Sequence, residues 1–326
     1  MAEVAFVFPG QGSQYVGMGL DLYHQDEIIR TVFAEAGQIL GIDIAALCFQ
    51  GPQEALDLTV NTQIAVLTLD IAIYRLIRQT MAITPAVLAG HSLGEYAAIY
   101  AAGALGLRDL LPLVQARAQY HQKAVSVGEG AMAAIIGLKN ETVDDLCRQI
   151  QTEKETVGLA IHNGPGQAVI SGHTSAVEKV MAAAEKMGAM KAVKLPISVP
   201  CHCNLLNPAA RSLQADLERI SFDDFRTSVI PNCDPDVFYN RKNAKDLLIR
   251  QITSPVQWHE TIERMSCLGI DTIVEIGPRR ILSGLIKRIN RRMRILNVED
   301  IPSLNKAATF FAEMGSHEHP VEIIKL

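Results

Sequence analysis

Ser92 stands between two glycines in the stretch LAGHSLGEYAA, residues 88–98, which gives a G-x-S-x-G arrangement. Glycine at positions 90 and 94 lets the chain turn sharply and push the hydroxyl into a cleft, where larger side chains would strike the packed strand or helix. A serine presented this way is a candidate nucleophile. His202 follows the segment ISVP, where Pro200 holds the chain extended. Arg117 lies in LVQARAQYHQ after the apolar run LLPLVQA, so a buried guanidinium is expected. Buried arginine requires a carboxylate, from the protein or from a ligand. Gln11 lies in the glycine-rich stretch FPGQGSQYVGMG, where backbone amides can approach a ligand closely. That stretch has no lysine, so it lacks the phosphate-loop signature and argues against nucleotide binding. Gln251 falls on a turn ahead of Pro255. Cys201 and Cys203 flank His202, but adjacent residues on an extended segment face opposite ways and no second Cys or His pair has zinc-ligand spacing. A metal site is therefore not expected.

The elements that must position these residues change rhythm along the chain. Over residues 1–125, short apolar strands such as EVAFVFPG alternate with helical stretches such as TQIAVLTLDIAIYRLIRQT, an α/β pattern with a parallel sheet. PAVLAG before Ser92 reads as a buried strand and the Ala-rich LGEYAAIYAAGAL after it as a helix. Between about Gly128 and residue 198 the order becomes strand, helix, strand, strand, helix, strand, the βαββαβ order of a ferredoxin-like unit. The α/β rhythm then resumes, with DTIVEIGP as a late strand and RRILSGLIKRINRR as the helix after it. The expected organisation is a large α/β-hydrolase-like catalytic domain, residues 1–127 and 199–326, with a small ferredoxin-like subdomain inserted at 128–198. Ligand clefts favour such junctions.

Composition excludes more than it selects. The 326 residues are 48% hydrophobic and 20% charged with a net charge of -5, which calls for neither nucleic acid nor a membrane surface. MAEVAFVFPG lacks the basic leader of a signal peptide, and no apolar run is expected to span a bilayer. Six scattered cysteines suit reduced thiols. A cytoplasmic protein, monomeric, is expected.

FPGQGSQ, GHSLGEY, Arg117, VPCHC, QITSPVQW and EIGPRRILSGL stand in the order and spacing of the malonyl-CoA:acyl carrier protein transacylase family. The chain resembles that family over essentially its whole length. The resemblance implies Ser92 as nucleophile, His202 as base and a carbonyl oxygen at Gln251 to orient the imidazole. It also implies an oxyanion hole from the backbone amides of Gln11 and Leu93, with Arg117 gripping the free malonyl carboxylate. The substrates would be a coenzyme A thioester and an acyl carrier protein, with no metal or redox cofactor, and the pathway fatty acid synthesis. His91 is the rival base, but successive side chains at a tight turn diverge, which leaves it a supporting role. Gln63 resembles a family position facing the cleft, though it equally suits a helix start. Asn163 is a substrate contact from the small domain or simple turn chemistry. One departure is Cys201, where many members carry Phe, a choice tied to malonyl over branched units in related polyketide acyltransferases. A trans-acting polyketide acyltransferase and a malonate-decarboxylase subunit share these motifs. A serine hydrolase would share the elbow but would need a third-member acid and have no use for Arg117.

Arg279, Arg280, Lys287, Arg288, Arg291, Arg292 and Arg294 crowd one segment that has no acidic residue. Such a surface suits the acidic helix of a carrier protein or coenzyme A phosphates; without interleaved aromatics it does not suit nucleic acid.

Overall fold

A computed structural model describes residues 3–81, 83–126, 128–197 and 199–316. Nine strands run in chain order: β1 (Glu3–Phe8), β2 (Val87–Gly90), β3 (Gly130–Ile136), β4 (Val157–Gly164), β5 (Gln167–His173), β6 (Lys191–Lys194), β7 (Ser228–Ile230), β8 (Ile270–Ile276) and β9 (Arg294–Val298). Five of them form a parallel sheet in the order β7-β2-β1-β8-β9. Both faces of that sheet are covered by helices, so its strands carry apolar runs rather than an alternation. In β1, Phe6 and Phe8 pack into one core and Ala5 and Val7 into another on the opposite face.

The remaining four strands form an antiparallel sheet in the order β4-β5-β3-β6. Together with the helices Asn140–Ile150 and Thr174–Lys186 on one face, this is the strand order of a ferredoxin-like unit. The α/β fold with a separate antiparallel sheet is therefore as expected. The expected boundary residues 127 and 198, and the ends 1–2 and 317–326, lie outside the described residues. The two sheets are stitched together. The His162 amide donates to the Val256 carbonyl at 2.8 Å, and the Val256 amide to the Ala160 carbonyl at 2.9 Å, joining β4 to the segment that enters the helix Trp258–Cys267.

Two expectations need correction. The helix Thr59–Thr80, 22 residues, is long and apolar enough by composition to cross a membrane. It is instead a core helix, 78% buried inside the fold over its apolar stretch. The second concerns RRILSGLIKRINRR, expected as one helix. The helix spans only Ile281–Ile289, because Asn290 turns extended and its side chain accepts from the Arg292 amide at 3.0 Å.

Candidate active site

The elbow forms where β2 ends. Its two glycines are required by close approach: a Cβ on Gly90 would lie 1.9 Å from the Gly94 carbonyl carbon, and one on Gly94 would lie 2.1 Å from the Phe8 carbonyl oxygen. Ser92 between them has φ 54°, a left-handed conformation that costs a non-glycine residue about 1–2 kcal/mol. The helix Gly94–Ala101 begins directly after it.

His202, also left-handed at φ 59°, places Nε2 2.7 Å from the Ser92 hydroxyl. Its Nδ1 lies 2.9 Å from the main-chain carbonyl oxygen of Gln251, which sits not on the expected turn but in the last turn of the helix Ala244–Thr253, where carbonyls have no partner further along the helix. That acceptor fixes the tautomer: Nδ1 carries the proton and Nε2 is free to take one from serine. Burial, and next the nearby Arg117 charge, push the His202 imidazole down to about 3. The ring is therefore neutral at ordinary pH, as a general base must be.

Arg117 is 1% exposed on the helix Leu107–Ala124. It donates to the Gln63 amide oxygen at 2.7 Å and to the Gln251 amide oxygen at 3.1 Å, and lies 5.3 Å from the centre of the Tyr96 ring. Among the described residues it forms no ion pair. Arg117 is thus a buried cation held by two neutral amides, with the buried Glu95 carboxylate close enough for the two charges to act on each other. Gln251 ties the two halves together, since its side-chain nitrogen donates to the Ser92 carbonyl at 2.9 Å.

The other sequence-predicted residues fall in two places. His91 Nε2 is 3.0 Å from the Asn163 side-chain oxygen, so His91 bridges the elbow to β4. Its ring stands edge-on to Trp258 at 5.4 Å, and burial lowers its pKa. Its contacts are those of a supporting residue. Leu93 is the N-cap of the helix Gly94–Ala101, whose first amides fold back on the turn: Gly94 donates to the His91 carbonyl and Glu95 to the Ser92 carbonyl, each at 3.1 Å. Gln11 donates from its side chain to Thr59 at 3.1 Å, while a Cβ on neighbouring Gly10 would lie 3.5 Å from the Leu93 nitrogen. The glycine-rich loop and the elbow are thus in contact. Cys201 has its sulfur 3.8 Å from His121 Nδ1, and burial pushes its thiol up to about 11.

A cleft of about 700 Å³ runs between the two sheets past Gln11, His91 and Asn163, walled by apolar side chains that include Met132, Val169 and Leu285. Arg279, in left-handed conformation at φ 65°, lines the same cleft and stacks over Tyr15 at 5.5 Å. All seven basic residues of the 279–294 segment are exposed. They do not share one helix: only Lys287 and Arg288 sit on Ile281–Ile289.

Sequence reasoning missed Asn232, Glu95, Tyr239 and Tyr96, all buried around the elbow. Glu95 carried a readable signal, since a carboxylate in an Ala-rich helix turn with no polar neighbour to the solvent side needs buried partners. Asn232 carried none.

The acyl transferase domain family matches residues 5–315. The malonyl CoA-acyl carrier protein transacylase of Escherichia coli (strain K12) is 44% identical over 289 residues, 89% of this chain and 93% of that protein. Its counterpart in Bacillus subtilis (strain 168) is 41% identical over 307 residues, 94% of this chain and 96% of that one. Among solved structures, the malonyl CoA-acyl carrier protein transacylase of Coxiella burnetii superposes with a TM-score of 0.92 at 43% identity, covering 94% of this chain and 97% of its own. A malonyl-transacylase solved with its type II PKS acyl-carrier protein gives a TM-score of 0.93 at 40% identity, covering 95% and 100%.

Proposed function

The chain belongs to the malonyl-CoA:acyl carrier protein transacylase family, and from that premise we propose that it carries malonyl from coenzyme A to a carrier-protein thiol, supplying fatty acid synthesis. In the first half-reaction His202 Nε2 takes the Ser92 proton as the hydroxyl oxygen attacks the thioester carbonyl. The Leu93 and Gln11 amides receive the oxyanion, and the imidazolium returns its proton to the departing coenzyme A sulfur. The second half-reaction runs the same path in reverse from the phosphopantetheine thiol of the carrier protein.

One observation carries the donor assignment: Arg117 is buried beside the nucleophile and forms no ion pair among the described residues. The malonyl carboxylate completes that pair, whereas an acetyl group leaves it open. The hydrolase reading is weaker, because the imidazole is oriented by a neutral carbonyl rather than by an acid. The inserted segment 128–198 supplies one wall of the cleft, sized for the pantetheine arm, and the exposed basic residues receive the carrier protein. Cys201 leaves more room than Phe would, so the discrimination between malonyl and its methyl-branched relative is set beside the base. No cofactor takes part in this scheme.

Intact-mass measurement after mixing with malonyl-CoA tests the reading. A malonyl adduct is expected on the parent chain and none on Ser92→Ala, whose fold is retained because the hydroxyl is presented at the turn. An adduct that survives the substitution sinks the mechanism.

A further inference from the structure

We propose that Asn232 is a positioning residue for the nucleophile: its side-chain amide clamps the left-handed serine turn, and Glu95 with Tyr239 holds Asn232 in that orientation. The inference rests on Ser92 being the acylated residue.

The clamp follows from how the parallel sheet ends. β7 pairs with β2 up to Ile230 opposite Ala89. Two residues further on, Asn232 stands beside His91, and in a continued parallel ladder its main chain would donate to the Gly90 carbonyl and accept from the Ser92 amide. The sharp turn removes β2 from that register. The Asn232 side chain makes the two bonds instead: Nδ2 donates to the Gly90 carbonyl at 2.6 Å, and Oδ1 accepts from the Ser92 amide at 2.6 Å. One planar amide thereby spans both sides of a turn whose central φ is 54°. Only a side chain with a donor and an acceptor on one short stem can do this.

The main chain of Asn232, freed from the ladder, is fixed elsewhere. Its amide donates to Glu95 Oε2 at 2.8 Å and its carbonyl accepts from the Gln257 amide at 2.9 Å. The other oxygen of Glu95 accepts a hydrogen bond from the Tyr239 hydroxyl. All three side chains are buried, at 1%, 0% and 3% exposure for Asn232, Glu95 and Tyr239. Asn232 and Tyr239 make no bond to the His202 ring or to Arg117, whereas Glu95 also bonds the Gln251 side chain and feels the Arg117 charge. The action of Asn232 on the chemistry therefore runs through the position of Ser92, and a displacement of about 1 Å at a nucleophile is enough for a loss near 100-fold.

The test compares the rate of malonyl-enzyme formation, by rapid quench and intact mass, in the parent, Asn232→Ala, Asn232→Asp and Tyr239→Phe. Asp keeps the shape but puts an acceptor against the Gly90 carbonyl. Both Asn232 variants are expected to acylate about 100-fold more slowly with the KM for malonyl-CoA within about threefold, since the substrate-binding groups are left in place. Tyr239→Phe, which removes only a hydroxyl, is expected to lose about tenfold in the same step and serves if the Asn232 variants do not fold. Glu95→Gln added to Asn232→Ala should cost little more than Asn232→Ala alone, because the pair acts as one device. Normal acylation in folded variants, a loss confined to KM, or fully additive losses would each overturn the proposal. A parent chain that forms no malonyl adduct at Ser92 would instead overturn the functional reading on which it rests.

Discussion

At the scale of single residues, the proposed function gives Arg117 two tasks, to recognise the substrate and to lower the basicity of His202. Its charge is the second of three causes that depress the imidazole, behind burial and ahead of the His91 charge. A bound malonyl carboxylate neutralises that charge, so the imidazole regains some affinity for protons in the complex. The acid limb of kcat/KM, which reports the free enzyme, is therefore expected well below pH 6.5, and the acid limb of kcat for acylation at higher pH than it. Coincident limbs would mean that Arg117 and the carboxylate do not meet. The sign for stability is the same: with a folded pKa of about 3 against 6.5 unfolded, His202 favours the fold above pH 6.5, and that share is lost as pH falls toward 3. Substitution gives a sharper test of the pair. Arg117→Ala should lose malonyl transfer by about 100-fold or more, each 1.4 kcal/mol being about tenfold in rate. Acetyl transfer should hold or rise, because a buried cation with no partner has been removed. The ratio of the two rates is the readout, since a merely destabilised variant loses both together. Ser92, His202 and Arg117 were legible in the sequence because each sits in a short local pattern. Asn232 was not, because its partner amide lies 140 residues away and only the sheet order brings them together.

At the scale of elements, the helix Thr59–Thr80 explains both what patterning reveals and what it hides. The sequence reading took it as helical but missed that it is long and apolar enough to pass for a spanning segment, a composition that its burial in the core accounts for. Gln63 near its start reaches Arg117, which local pattern alone left open between a cleft residue and a helix start. About two turns further on, Asp70 is 0% exposed, and neither carboxyl oxygen has a hydrogen-bond partner. Burial first, and then the charge of Glu275, raise its pKa well above the usual carboxylate range. A raised pKa stabilises the fold below the unfolded value near 3.9, and that contribution is lost as pH rises toward the folded value. Asp70→Asn keeps the neutral shape without the titration. It is expected to raise Tm by roughly 2–4 °C at pH 8, for a gain on the order of 1 kcal/mol, and to make little difference at pH 4. Thermal melts at the two pH values decide it, and an equal shift at both would mean that the Asp70 proton is not involved. The succession of strands and helices in the small sheet was likewise legible from apolar runs, but the end of the helix Ile281–Ile289 was not, because an Asn side chain closing on its own backbone leaves no break in the charge pattern.

At the scale of the whole molecule, the chain carries a net charge of -5 yet concentrates seven exposed basic residues between Arg279 and Arg294. The proposed docking of a carrier protein draws on where the fold places them. Arg279 lines the cleft that passes the elbow, Arg288 contacts Gln167 at the start of β5 in the small sheet, and Arg291 and Arg292 extend outward on the turn before β9. A partner with an acidic helix would meet this field before its prosthetic arm enters the cleft, so its attraction is long-range and screened by salt. Arg288 is unsuited to a clean test because its side chain bears on a cleft residue. Arg291→Glu combined with Arg292→Glu changes the field by four charges without touching the cleft. The double variant should raise the KM for carrier protein by about tenfold at low salt, and the difference from the parent should shrink as ionic strength passes 0.2 M and the screening length falls below about 7 Å. Acylation by malonyl-CoA, which needs only the cleft and Arg117, should stay within about twofold of the parent. An unchanged KM and salt slope would leave the basic segment a solvated surface, while equal losses in both half-reactions would place its effect in the cleft rather than in docking.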